Sequence, residues 1–208
     1  MTRSLHVAVC GAASLVGREI LSILFERGFS CASVLALDDS SNNNVGERVA
    51  FGETEFGVKA MSADSFDGID LAFFAADPVA SQQFSPIAQA KGCVVIDLSA
   101  AWRYDTRCPM VAAPINLEDV SAHNGIISCP SSSSLQLAAV FRHLHKAGII
   151  TQATVTSLEA VGDSGQEGID ELERQVRQLF NMQQPQAQLY PHQVAFNCLP
   201  HEIGRAHV

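Results

Sequence analysis

Three stretches of this chain bring together residue types and spacings that chemistry uses. The first is Cys10-Gly11-Ala12-Ala13-Ser14-Leu15-Val16-Gly17, which follows a short apolar run at Leu5 to Val9. Glycine at both ends and small residues between them suit a turn whose backbone closes on a pyrophosphate. A helix beginning there adds unpaired N–H groups and the positive end of its dipole. Gly11, Ala13, Ser14, Leu15, Val16 and Gly17 are therefore the candidate cradle of a dinucleotide. The spacing departs from the strict fingerprint, because Ser14 stands at the middle glycine. A tight strand-to-helix turn with no ligand is the competing reading.

The second stretch is Asp38-Asp39, about twenty residues beyond Gly17. An acid at that distance accepts from a ribose 2′-hydroxyl and repels a 2′-phosphate, so Asp38 predicts NAD over NADP. Two acids in a solvated loop would look the same in sequence. The third stretch is Cys129-Pro130-Ser131-Ser132-Ser133-Ser134, a serine run ahead of an apolar helical pattern. It lacks the Gly-x-Ser-x-Gly elbow of a hydrolase, and no His-Asp pair is placed to activate it.

The elements that must position these residues alternate. Apolar runs at Leu5 to Val9, Ser33 to Leu37, Ile69 to Ala75 and Cys93 to Leu98 read as strands. Val16, Ile20, Ile23 and Leu24 recur at helical spacing, and Val79 to Lys91 reads as a second helix. Strands alternating with amphipathic helices predict an α/β fold, a Rossmann-like doubly wound parallel sheet. Beyond a boundary near Ser128 the pattern changes. Leu135 to Lys146 reads as a helix, Thr151 to Val161 as a strand, and Gln166 to Phe180 as a helix with Ile169, Leu172, Val176, Leu179 and Phe180 on one stripe. The expected domains are thus 1–128, dinucleotide-binding, and 129–208, the start of an α+β catalytic and dimerisation domain.

Composition narrows the function classes. The chain has 208 residues, 47% of them hydrophobic, and a net charge of -9. That balance argues against non-specific nucleic-acid binding and against docking on an anionic membrane. No apolar run approaches a membrane span, and the N-terminus lacks a secretory pattern, so a cytoplasmic location is expected. Cys10, Cys31, Cys93, Cys108, Cys129 and Cys198 form no Cys-x-x-Cys pair, so free thiols are expected and a zinc site is not. His143 and His145 are two apart on a helix and make no metal pair.

Several segments, in order, resemble the aspartate-semialdehyde dehydrogenase family. Val94-Val95-Ile96-Asp97-Leu98-Ser99-Ala100-Ala101-Trp102-Arg103 looks like that family's Val-Val-Ile-Asp-Asn-Ser-Ser-Ala-Phe-Arg motif. Cys129-Pro130-Ser131-Ser132-Ser133-Ser134-Leu135-Gln136 stands in the place of Asn-Pro-Asn-Cys-Ser-Thr-x-Gln, which carries the nucleophile. Asp64 to Phe74, Glu159 to Gly165 and Tyr190 to Pro200 each resemble further segments. The resemblance implies a homo-oligomer that reduces β-aspartyl phosphate with NADPH. In such a protein a cysteine attacks the acyl phosphate and hydride reduces the thioester.

The departures fall on that chemistry. Ser132 replaces the nucleophilic cysteine and Glu159 the active-site glutamine. A thiol titrates near about 8.5, whereas an alcohol needs an adjacent base to attack. Cys129 lies three residues upstream, roughly 10 Å along an extended backbone, too far to substitute. Asp77-Pro78 replaces a small Gly-Gly stretch beside the cofactor, and Asn42-Asn43-Asn44 stands near the family's arginine for a 2′-phosphate. Arg103 remains as the candidate for a substrate phosphate or carboxylate. The resemblance puts the family's catalytic histidine and substrate arginine further along than Gly204, and His201 and His207, near the end, match no motif. Thr151 to Phe180 is then expected to pack on another subunit or to be poorly ordered.

These features leave three functions open. The leading one is a degenerate paralogue, similar to the Usg-type members of the family, that keeps the fold and the dimer but not the parent reaction. The second is an active NAD(P)-dependent oxidoreductase with an altered substrate. The third is a non-catalytic dimerisation module.

Overall fold

The computed structural model describes residues 4–41 and 44–200. Asn42, Asn43, His201 and His207, named above, lie outside those residues. The described chain divides into two compact units, Met1–Val155 and Thr156–Val208.

The first unit is built on a six-stranded parallel sheet. Its strands are β1 (Leu5–Cys10), β2 (Cys31–Asp38), β5 (Lys59–Ala60), β6 (Leu71–Phe74), β7 (Val94–Asp97) and β8 (Ile126–Ser128). They lie in the order β5-β2-β1-β6-β7-β8. Between β2 and β5 a small antiparallel hairpin, β3 (Arg48–Phe51) and β4 (Thr54–Gly57), forms a second sheet. The helices are α1 (Leu15–Glu26), α2 (Pro78–Ala90), the one-turn α3 (Ala113–Asn116) and α4 (Ser132–Ala147). From β1 the chain steps to β2 on one side and later returns to β6 on the other. The strand order therefore reverses between β1 and β6, which opens a crevice at their C-terminal ends.

Alternation along β1 divides the core between two faces. Ala8 and Cys10 pack with Leu37, Phe66, Phe74 and Val95 under Ala80, Phe84 and Ala88 of α2. Val9 packs with Ala36 under Leu21 of α1 and Val49 of the hairpin. The sheet is thus covered on both sides, as its apolar parallel strands require.

Two helices are rotated from the faces their sequences suggest. In α1 the buried residues are Gly17, Leu21 and Leu24, while Val16 and Ile23 are exposed. Gly17 must face the turn, and residues four and seven further on follow it inward. The second unit holds α5 (Gly165–Phe180) and an irregular tail. Its buried positions are Gly168, Glu171 and Gln175, while Phe180 is exposed. The polar face is buried because it binds main chain. Glu171 accepts from the N–H groups of Gln188 (3.0 Å) and Leu189 (2.6 Å). Gln175 Oε1 accepts from those of Val194 (2.8 Å) and Ala195 (3.1 Å). A tail without a strand partner leaves its N–H groups in need of acceptors, and α5 supplies them.

The strand expected at Thr151 to Val161 does not form. Residues 151–160 have no regular structure, and a short 3-10 helix, Val161–Ser164, follows. Side-chain alternation makes a strand only beside a partner ladder, and no described strand offers one.

Candidate functional site

The C-terminal end of β1 passes into the glycine turn at the point where the strand order reverses. Gly11 has φ +76°, a conformation that suits glycine, and a Cβ there would lie 2.5 Å from the carbonyl oxygen of Ala75. A Cβ on Gly17 would lie 2.1 Å from the carbonyl oxygen of Gly11. Both positions exclude any larger residue. Ser14 caps α1: its Oγ accepts from the Gly17 N–H at 3.0 Å and donates to the Gly11 carbonyl at 2.7 Å, with the Ala75 carbonyl at 3.3 Å. The hydroxyl folds back beneath the turn, which is how a serine fits where the strict fingerprint has glycine.

The turn is tied to β2 as well. Leu37 accepts from the N–H groups of Gly11 (2.8 Å) and Ala12 (3.0 Å). Ala12 is fully buried, so it serves the core. The N–H groups of Ala13, Leu15 and Val16 have no acceptor among the described residues, and Leu15 and Val16 are exposed. Three free donors at the positive end of a helix are suited to bind an anion such as a pyrophosphate.

Asp38, assigned from the sequence to a ribose hydroxyl, is turned inward. It is 1% exposed, and its carboxylate accepts from the Asp39 N–H (2.8 Å) and the Asn44 side-chain amide (3.1 Å). Asp77 caps α2, with Oδ1 accepting from the N–H groups of Val79 (2.8 Å) and Ala80 (3.0 Å). The N-terminus of that helix is satisfied by the chain's own carboxylate.

The serine run begins α4. Ser131 is the N-cap, with its Oγ accepting from the Ser134 N–H at 3.3 Å, and Ser132 is the first helical residue. Arg103 reaches the strand just before it. Its Nε donates to the Cys129 carbonyl and its Nη2 to the Leu98 carbonyl, both at 2.9 Å. Nη1 is left without an intramolecular partner among the described residues. Glu159 belongs to the other unit, in the irregular segment 151–160.

Next to Arg103 lies a polar cluster that no single sequence motif announces. The fully buried Asp97 carboxylate accepts from the hydroxyls of Ser81 and Ser99, and Trp102 Nε1 donates to Ser81 Oγ at 3.1 Å. Burial raises the Asp97 carboxyl above the usual carboxylate range, against the pull of the two hydroxyls. The Asp97 carbonyl also accepts from the Cys129 N–H at 2.7 Å, so β7 and β8 are joined just before the serine run. The juxtaposition of an acid with serine and tryptophan in one motif is only a partial signal.

None of the six cysteines is in a disulfide. Burial pushes the Cys129 thiol up, and the nearby Asp97 charge adds to it. Burial likewise pushes Cys93 up to about 12. Cys129 is therefore held as a thiol at neutral pH, the wrong form for attack. Among the described residues no group of three or more His, Cys, Asp or Glu side chains is placed to hold a metal ion, and no helix is long and apolar enough to cross a membrane.

Comparison with known proteins places both halves of the chain. Residues 6–123 match the family model for the semialdehyde dehydrogenase NAD binding domain. Residues 142–207 match the model for the semialdehyde dehydrogenase dimerisation domain. The chain is 34% identical over 207 residues to aspartate-semialdehyde dehydrogenase of Bacillus subtilis, covering 96% of this chain and 59% of the relative. It is 36% identical over 200 residues to the Aquifex aeolicus enzyme, covering 94% and 58%. The crystal structure of aspartate semialdehyde dehydrogenase II from Vibrio cholerae superimposes with a TM-score of 0.90 at 30% identity, covering 96% of this chain and 60% of that one. The chain thus spans about three fifths of the length of these relatives.

Proposed function

The chain belongs to the aspartate-semialdehyde dehydrogenase family, and from that premise we propose that it binds a nicotinamide dinucleotide without carrying out the family's reductive dephosphorylation. The observation that carries the binding is the set of three N–H groups, on Ala13, Leu15 and Val16, that have no acceptor among the described residues, at the point where the sheet order reverses. They would hold the pyrophosphate, with Gly11 and Gly17 permitting the close approach. NAD is the preferred form, because acids end β2 where a 2′-phosphate would sit. When bound, the dinucleotide supplies a nicotinamide ring able to give or take a hydride.

The loss of the parent reaction follows from Ser132. The resemblance puts a cysteine at this position, at the tip of a helix, where a thiol would be lowered toward thiolate. A hydroxyl there stays protonated at neutral pH, and an oxygen ester is a poorer hydride acceptor than a thioester. Cys129, held as a thiol, does not replace it. The match to a dimerisation-domain model supports a homodimer, as do Leu135, Val140 and Leu144, exposed along α4.

A second reading, an active oxidoreductase with an altered substrate, is favoured by Arg103, which keeps one guanidinium nitrogen for an anion. A semialdehyde dehydrogenase assay with NAD and NADP separates the two. The proposal expects no turnover above background. Turnover that Ser132→Ala abolishes would establish the second reading instead.

A further inference from the structure

The two acids that end β2 differ in what their carboxylates can reach. Asp38 is 1% exposed, and both of its oxygens are held inside the protein, by the Asp39 N–H and by the Asn44 amide. Its main-chain carbonyl is also engaged, accepting from the Met61 N–H at 2.8 Å. Turning this carboxylate outward would strip two donors of their acceptor and break the junction of β2 with the following loop. Asp39 is half-buried. Its Oδ1 accepts from the Ser41 N–H at 2.7 Å, and its Oδ2 has no partner among the described residues. Both acids follow directly on Leu37, whose carbonyl receives the Gly11 and Ala12 N–H groups, so they stand beside the turn.

We propose that Asp39 is the residue that discriminates a ribose 2′-hydroxyl from a 2′-phosphate, and that Asp38 is a positioning residue that holds Asp39 and Asn44 in place. The assignment rests on the dinucleotide reading above. An ionised carboxylate with an open oxygen accepts from a ribose hydroxyl and repels a phosphate dianion a few ångströms away. A carboxylate with both oxygens bonded and buried does neither directly. Its negative charge lies buried behind those donors, so it weighs less in the choice between the two cofactors than the open oxygen of Asp39 does.

The test is calorimetric titration of the full chain with NAD and with NADP. The wild-type protein should bind NAD more tightly than NADP by about tenfold or more, the size of one close charge repulsion near a surface. Asp39→Asn should lower that ratio by about tenfold, chiefly by tightening NADP. Asp38→Asn should weaken both cofactors by a similar factor, keep their ratio within about twofold, and speed amide exchange at Asp39 and Ser41. Asn44→Ala removes one partner of Asp38 while leaving both acids, and should repeat the Asp38→Asn pattern if that variant fails to fold. A ratio that moves with Asp38→Asn and not with Asp39→Asn overturns the assignment, as does a wild-type ratio near one. Absence of saturable binding by either cofactor overturns the dinucleotide reading itself.

Discussion

Arg103 Nε donates to the main-chain carbonyl of Cys129 at 2.9 Å, while Nη2 of the same guanidinium holds the carbonyl of Leu98. One side chain therefore joins the ends of β7 and β8 immediately before the serine run. The planar fork of arginine suits two carbonyls at a fixed separation, and a lysine ammonium does not reproduce it. Arg103→Lys should destabilise the protein by about 1–2 kcal/mol, measured by urea unfolding. A change within about 0.5 kcal/mol, as at an ordinary surface arginine, would show that the clamp contributes nothing.

The turn at Gly11 leaves no room for a side chain at Gly17. The Cβ of Gly17→Ala would fall 2.1 Å from the Gly11 carbonyl oxygen, so either the turn or α1 must move. Thermal unfolding should register a loss of about 2–4 kcal/mol, together with loss of dinucleotide binding. A variant of unchanged stability and affinity would mean that the turn is not rigidly set.

Asp77 holds the N-terminus of α2 with its own carboxylate, directly after Ala75 and Ala76, which border Gly11. Its negative charge opposes a pyrophosphate on the neighbouring turn. Asparagine is an equally good N-cap without the charge. Asp77→Asn should therefore tighten NAD and NADP alike, by about two- to fivefold at low salt, and the gain should shrink as salt is added. Weaker binding, or a gain for one cofactor alone, would contradict this placement.

Glu171 gives a pH-dependent term in the second unit. Burial raises its carboxyl, but the N–H groups of Leu189 and Gln188 and the Arg174 guanidinium outweigh that and hold it below the usual carboxylate range. A carboxylate depressed in the folded state stabilises above its unfolded pKa, near about 4.3, and that contribution is lost as pH falls through the lower folded value. Amide-exchange protection at Gln188 and Leu189 should decline below about pH 4. Glu171→Ala should remove it at neutral pH, at a cost of about 1–3 kcal/mol. Protection independent of both would show that the tail is held by something else.

The parts of the fold nearest the site were the most legible, because apolar runs alternating with helical spacing leave few alternatives. The runs Leu5 to Val9, Ser33 to Leu37, Ile69 to Ala75 and Cys93 to Leu98 all contribute strands to the parallel sheet, whose strands end at Cys10, Asp38, Phe74 and Asp97. The β3–β4 hairpin is hard to see in the sequence because Arg48, Thr54 and Glu55 interrupt its short runs, although Gly52 marks the turn. The three residues of β8 carry too little pattern to stand out. Alternation at Thr151 to Val161 suggests a strand, but pairing is a property of neighbours and cannot be seen in one segment. The inward turn of Asp38 depends on Asn44, six residues away, and the burial of Glu171 on a tail more than fifteen residues downstream. Acids read singly from sequence look solvated until their donors are located.

The central claim is that the glycine turn still binds a dinucleotide although the nucleophile position does not carry the family's chemistry. It is tested most directly by titrating the purified chain with NAD while following the amide resonances of Ala13, Leu15 and Val16. The account predicts saturable binding with those three resonances among the most shifted. No saturation up to about millimolar NAD, the weak end of ordinary cofactor affinity, would contradict it.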